Sequence, residues 1–239
     1  MADFVNTVLF GIYPYIALVV LAVGTVIRYD REPYTWRTGS SQLLRRKQLM
    51  WGSLLFHVGV LLIFAGHLVG LLTPLAIWEM LGVTHGAKQL IAIVLGGVAG
   101  AMGIVGATLL VHRRFFDPRI RRNSSFTDSL IILILWVQLA LGLFTIRVSM
   151  QHLDGEEMVK FMHWAQGIFT FNTAAAGHVA DASPVFKLHI FLGLTVLLLF
   201  PFTRLVHMLS VPVRYFWRPG YQVVRQRARS ASSRQLSAE

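Results

Sequence analysis

Residues 56–74 read FHVGVLLIFAGHLVGLLTP. The run extends back to Met50, and residues 50–72 contain no Asp, Glu, Lys or Arg. About 20 apolar residues cross the hydrocarbon layer of a bilayer. There, every backbone polar group must be satisfied within the chain, so this run predicts a membrane-spanning helix. Its polar exceptions are Ser53, His57 and His67.

Four further apolar runs stand on either side of it, at about 5–27, 89–111, 129–147 and 185–209. The fold class follows as all-α, an integral membrane protein with five transmembrane helices. Pro14 and Pro201 fall inside runs, and either is a candidate kink. Composition agrees: 55% of residues are hydrophobic and 14% charged, against about 25% charged in soluble domains. The first run has no basic leader and no small-residue cleavage site after it, so a signal peptide is not expected. Two units are predicted: a five-helix membrane domain over 1–220 and a basic, Ser- and Arg-rich cytoplasmic tail over 221–239.

The net charge of +11 raises nucleic acid as a partner. The distribution argues against it and for a lipid bilayer. Of the 22 basic residues, 17 lie in three segments: the first inter-helix loop from Arg28 to Lys47, the third from Arg113 to Arg122, and the tail from Arg214 to Arg234. With five spans these share one side, which the positive-inside rule makes cytoplasmic. The N-terminus, the loop around 73–88 and the long loop 148–184 then face outward. That topology implies a multi-pass membrane protein with its N-terminus outside and its C-terminus inside.

No cysteine is present. Disulfides, thiolate-bound iron–sulfur clusters and covalent haem attachment through C-x-x-C-H are therefore excluded. Any haem is held non-covalently by other side chains.

Histidines at membrane depth are functional candidates by default. His57 and His67 lie in the second span, His189 and His207 in the fifth. The topology sorts them by height: His57 with His207 near the inner face, and His67 with His189 near the outer face. A neutral imidazole is a good axial ligand to iron and tolerates apolar surroundings. Each pair is thus a candidate clamp for one of two b-type haems stacked across the membrane between the second and fifth spans. His189 and His207 are 18 residues apart, five full turns and about 27 Å on a continuous helix. His57 and His67 are 10 residues apart, about 15 Å and about 80° off one face. That mismatch calls for tilt, local distortion or rotated haems. The competing reading is polar contact between helices.

Gly59, Gly66, Gly70 and Gly193 flank the histidines and fit either close helix packing or approach of a flat ring. Gly96, Gly97, Gly100, Gly103 and Gly106 in the third span read as packing. His85, His152, His163 and His178 in outer loops, and His112 at an inner helix end, read as solvated. Lys88 opens the third span at the outer boundary. It is either a snorkelling lysine or a hydrogen-bond donor to a quinone oxygen, with Gly66 leaving room for the ring.

Several stretches together resemble the gamma subunit, a cytochrome b, of membrane-bound respiratory nitrate reductase. They are IYPYIA (12–17), IRYDREPYTWRTGSSQLL (27–44), FHVGVLLIFAGHLVGLLTP (56–74), KQLIAIVLGG (88–97), RRFFDPRIR (113–121), QHLDGEEM (151–158), KLHIFLGLTVLLLFPFTRLVH (187–207) and SVPVRY (210–215). The likeness spans roughly 10–223 and departs over 172–184 and beyond 223. It implies five membrane helices, an outward N-terminus and two b haems as cofactors. The outer haem iron would be held by His67 and His189, the inner by His57 and His207, with Lys88 and Gly66 at the quinol site. It implies as partners the membrane quinol pool, an iron–sulfur beta subunit and a molybdenum catalytic alpha subunit where nitrate is reduced. The alternatives are a dihaem, quinol-linked cytochrome b of another membrane oxidoreductase (hydrogenase, formate dehydrogenase or disulfide-type reductase) and a haem-free transporter or anchor.

Overall fold

The structure is a computed structural model that describes residues 2–36 and 44–210. The described residues are helices and connecting turns, with no strand among them. Among the described residues, five helices are long and apolar enough to cross a membrane. We label them α1 (Asp3–Arg31), α2 (Arg46–Leu72), α3 (His85–Phe116), α4 (Phe126–Ser149) and, last of these spans, α6 (Pro184–Leu199). Between α4 and α6 lies a shorter helix, α5 (Glu156–Phe169). The large apolar side chains on the outsides of the spans are exposed, among them Val19, Leu95, Val98 and Leu133. Apolar exteriors on long helices are what lipid requires. The chain is a multi-pass membrane protein, as its sequence predicts.

Local chemistry sets the ends. Thr84 accepts from the Ala87 amide with its hydroxyl and caps α3, and Ser125 does the same for Asp128 at the start of α4. Pro184 sits at the first turn of α6, where its missing N–H costs nothing. Pro74 follows Thr73 at the end of α2 and stops that helix.

Both intramembrane prolines mark real breaks. A π-turn over Val8–Ile12 precedes Pro14 in α1. This freed register lets the Phe10 carbonyl accept from the buried Trp164 indole of α5 at 2.8 Å. Pro201 ends α6 altogether. The chain tightens into a 3₁₀ turn at Phe200–Phe202, passes through extended Thr203, and re-coils as 3₁₀ over Arg204–Ser210. The helix expected over 185–209 is therefore not continuous, and the five-turn, 27 Å count from His189 to His207 does not apply. The cause is the proline ring, which removes a hydrogen-bond donor and clashes with the preceding turn.

The spans pack in the order α2, α3, α4, α6, α1. Glycine makes the α2–α3 seam. A Cβ on Gly59 would stand 2.5 Å from the Gly103 nitrogen and 2.7 Å from the Ala99 oxygen, and one on Gly106 would strike the Phe56 backbone. Backbone-on-backbone contact of this kind replaces the hydrophobic driving force that lipid does not supply. The packing reading is thus right for Gly59, Gly100, Gly103 and Gly106, whereas a Cβ on Gly96 would meet nothing within 4 Å. α2 packs chiefly on α3, and α6 on α4 and α1, so α2 and α6 face each other across a gap in the order.

The long loop of the sequence reading holds more structure than expected. Within it, α5 buries Trp164, Ala165 and Ile168 against Phe10, Ala17 and the turn Ala175–Val179. The basic loops meet at one end of the molecule. Arg45 forms an ion pair with Asp117 at 2.7 Å, and Arg113 donates to the Leu44 carbonyl at 2.8 Å. Partial desolvation raises the Asp117 carboxyl, but the Ile120 and Arg119 amides and the Arg45 guanidinium outweigh it and hold it below the usual carboxylate range. The tail over 221–239 lies outside the described residues.

Candidate functional site

Two pairs of imidazoles bridge the gap between α2 and the segment formed by α6 and the 3₁₀ turns beyond it. The rings of His57 and His207 have centres 6.0 Å apart, with planes at 70°. Those of His67 and His189 are 6.2 Å apart, at 40°. These are the couples expected from height alone. The 80° offset along α2 is met by the break at Pro201, which frees His207 from the helical face that carries His189.

The distances test whether haem iron fits. An imidazole on a first-row metal stands at a bond length of about 2 Å, and its ring centre lies about 1.1 Å behind the nitrogen. Two rings on opposite sides of one iron therefore have centres about 6.2 Å apart. Both pairs meet that spacing, whereas rings in van der Waals contact take any of several. Among the described residues no third His, Asp or Glu joins either pair. A metal clamped there would draw its remaining donors from elsewhere, as iron does from a porphyrin.

The second nitrogen of each ring gives an independent test. A metal-binding histidine usually donates its other N–H to a carbonyl or carboxylate, which fixes the tautomer and leaves the metal-facing nitrogen unprotonated. His57 Nδ1 lies 2.7 Å from the Ser53 carbonyl oxygen, with the Ser53 hydroxyl at 3.2 Å. His67 Nδ1 lies 2.8 Å from the Ile63 carbonyl. His207 Nδ1 meets the Arg204 carbonyl. In all three, donation from Nδ1–H leaves the Nε2 lone pair free to bind a metal. His189 differs: its Nδ1 is buried without a hydrogen bond, facing the Gln138 carbonyl of α4. Packing holds it instead. Gly142 of α4 presses against the ring, and a Cβ there would stand 3.1 Å from Cε1. Gln138 Nε2 donates to the His189 carbonyl at 3.1 Å, in space left by Gly193. Gly142 and Gln138 escaped the sequence reading because their role is to leave room for, and hold, a neighbour on another span.

Gly66 and Gly70 line open space. A Cβ on either would meet nothing within 4 Å. Lys88 is only 5% exposed, so it does not snorkel. Its ammonium sits 2.6 Å from Met162 Sδ and 4.7 Å from the centre of the Trp78 ring. No carboxylate pairs with it among the described residues. A cation held by a thioether and an aromatic face keeps N–H donors for a further acceptor. Among the remaining histidines, His112 stacks on Phe116, and His163 faces His178 with ring centres 5.4 Å apart at the edge of α5.

Five apolar spans enclosing two facing imidazole pairs define a membrane-embedded helical protein with two bis-histidine stations at different heights. The chain belongs to the nitrate reductase gamma subunit family, whose sequence profile matches residues 6–227. It is 47% identical over 225 residues to the respiratory nitrate reductase 1 gamma chain of Escherichia coli (strain K12), covering 94% of this chain and 99% of that one. It is 45% identical over 229 residues to the respiratory nitrate reductase 2 gamma chain of the same organism, covering 95% and 100%. Against the nitrate reductase gamma chain of Bacillus subtilis (strain 168), identity is 36% over 222 residues, covering 92% and 98%. The chain is accordingly a membrane subunit of a multi-subunit enzyme.

Proposed function

We propose that this subunit oxidises membrane quinol near the outer face and carries the electrons inward to an iron–sulfur subunit of a respiratory nitrate reductase. The observation that carries the reading is the pair of ring separations, 6.0 and 6.2 Å, each matching an iron between two imidazoles. His67 and His189 hold the outer of two b haems, and His57 and His207 the inner. When bound, the haems supply one-electron carriers at two depths. Quinol gives up two electrons and two protons and leaves as quinone. The electrons would leave on the inner side for a molybdenum subunit, which would supply the two-electron, two-proton reduction of nitrate to nitrite and water.

The chain's own groups bind and orient the quinol. Lys88 donates to a quinone oxygen from a dry site, where a charge-assisted hydrogen bond contributes about 1.5–3 kcal/mol. Gly66, beside His67 and open to space, leaves room for the ring. The three basic segments set the inner side, so quinol protons leave outward. The names of the relatives favour nitrate reductase over a hydrogenase or formate dehydrogenase as the partner enzyme. In the isolated complex, added quinol should reduce the haem bands and added nitrate should reoxidise them. Bands that quinol leaves oxidised, in a complex that still reduces nitrate with an artificial donor, would sink the proposal.

A further inference from the structure

The stretch IRYDREPYTW (27–36), which closes α1 and runs past its end, has no part in the site described above, yet its Arg28 reaches the one irregular element that carries a site histidine. Arg28 Nη1 donates to the Pro201 carbonyl at 2.7 Å and to the Thr203 carbonyl at 2.8 Å. The same guanidinium donates through Nε to the Thr35 hydroxyl at 3.1 Å and through Nη2 to the Thr35 carbonyl at 3.3 Å. The Thr35 hydroxyl in turn donates to the Glu32 carbonyl at 2.8 Å. One turn earlier on the same face of α1, Gly24 admits the Pro201 ring, and a Cβ on Gly24 would stand 2.9 Å from its Cγ. Gly24 and Arg28 therefore grip the break in α6 from one side, by shape and by hydrogen bonds.

The break matters because His207 lies beyond it. Thr203 is buried and extended, Leu205 and Val206 are buried, and the Arg204 carbonyl receives His207 Nδ1. No regular helix carries His207 at a set height and angle, since α6 ends at Leu199. From the other side, Arg204 Nε lies 3.8 Å from Asp128 Oδ1 at the start of α4. A planar five-donor fork is suited to such a task. It satisfies several carbonyls in one rigid geometry, which the compact ammonium of lysine does not.

We propose that Arg28, with Gly24, is a positioning residue for the inner station: it latches the Pro201 break onto α1 and so sets the angle at which His207 meets the inner haem iron. This rests on the reading of His57 and His207 as haem ligands.

The test uses the full membrane-bound complex and the variants Arg28→Gln, Arg28→Lys and Gly24→Ala, with His57→Ala to identify the inner haem's signals. Low-temperature electron paramagnetic resonance reports the geometry of two imidazoles on ferric iron, and redox titration reports each potential. Arg28→Gln should shift the inner haem's largest g value and its midpoint potential while leaving the outer haem's lines superimposable on the parent's. Arg28→Lys should shift them less, and Gly24→Ala should shift the inner signal with the arginine intact. An inner signal unchanged in Arg28→Gln and Gly24→Ala overturns the latch. So does equal change in, or equal loss of, both haems across the variants, because that is what a merely structural arginine produces. A parent complex without two bis-imidazole signals would instead overturn the ligand assignment on which the latch rests.

Discussion

The inner and outer imidazole pairs have nearly the same ring separation, yet they are built by different means. His67 and His189 stand on unbroken helices, and the outer pair is finished by packing. The neighbours of His189, Ile190 and Leu194, join the buried cluster of Phe10, Ala17 and α5, and Gly142 fits against its ring. His57 stands on a helix too, but His207 is carried by a 3₁₀ turn beyond a proline break, and hydrogen bonds define its place. Close fit against the ring itself holds the outer station, whereas the inner depends on polar contacts and on the seating of Pro201 against Gly24, away from the ring. A change of side-chain volume beside the ring should therefore damage the outer pair, and a change of donors or acceptors the inner.

The largest expected effect comes from removing a ring. His67→Ala should lose the outer haem alone and abolish quinol oxidation, because one imidazole is no clamp; an absorption spectrum and haem assay on the purified complex would show one haem where there were two. Both haems retained with full activity would contradict the assignment.

Next is Gly142→Ala. The added methyl would stand 3.1 Å from the His189 ring. Overpacking of this kind costs about 1–3 kcal/mol, more than the roughly 0.5–1 kcal/mol a helix gains from the change. The outer haem should bind more weakly and the inner should be untouched, as read by haem retention during dilution. Equal loss from both would erase the contrast.

Lys88→Ala should leave both haems in place and weaken binding of a quinol analogue about 10- to 100-fold, the equivalent of one charge-assisted hydrogen bond. Unchanged affinity in a fluorescence-quench titration would return Lys88 to a structural role with Met162 and Trp78.

The smallest effect belongs to Ser53→Ala. It removes the hydroxyl at 3.2 Å but leaves the carbonyl at 2.7 Å that anchors His57. A cost of at most about 0.5–1.5 kcal/mol should appear as a slight shift in the inner haem's potential and none in the outer.

Much of this was legible in the sequence. The five spans, the two proline breaks as candidates, the pairing of His57 with His207 and of His67 with His189, and the packing role of Gly100, Gly103 and Gly106 all follow from hydrophobic run length, charge placement and residue size. What escaped depends on contacts between distant segments. Pro201 signals a kink but not that the helix ends there. Gly142 looks like any glycine in an apolar run, and its use appears only when His189 is set against it, 47 positions away by sequence number. Arg28 reads as one more positive charge at the inner face until its bonds to Pro201 and Thr203 are seen. The amphipathic pattern of α5 was visible in EEMVKFMHWAQGIF (156–169) but was hidden by its place between two longer spans.

A pyridine haemochrome assay on the purified complex, calibrated per copy of this chain, should return two b-type haems, falling to one on replacing any single member of either pair by alanine. A colourless chain that still assembles with its partners and passes electrons from quinol would contradict the two-haem assignment.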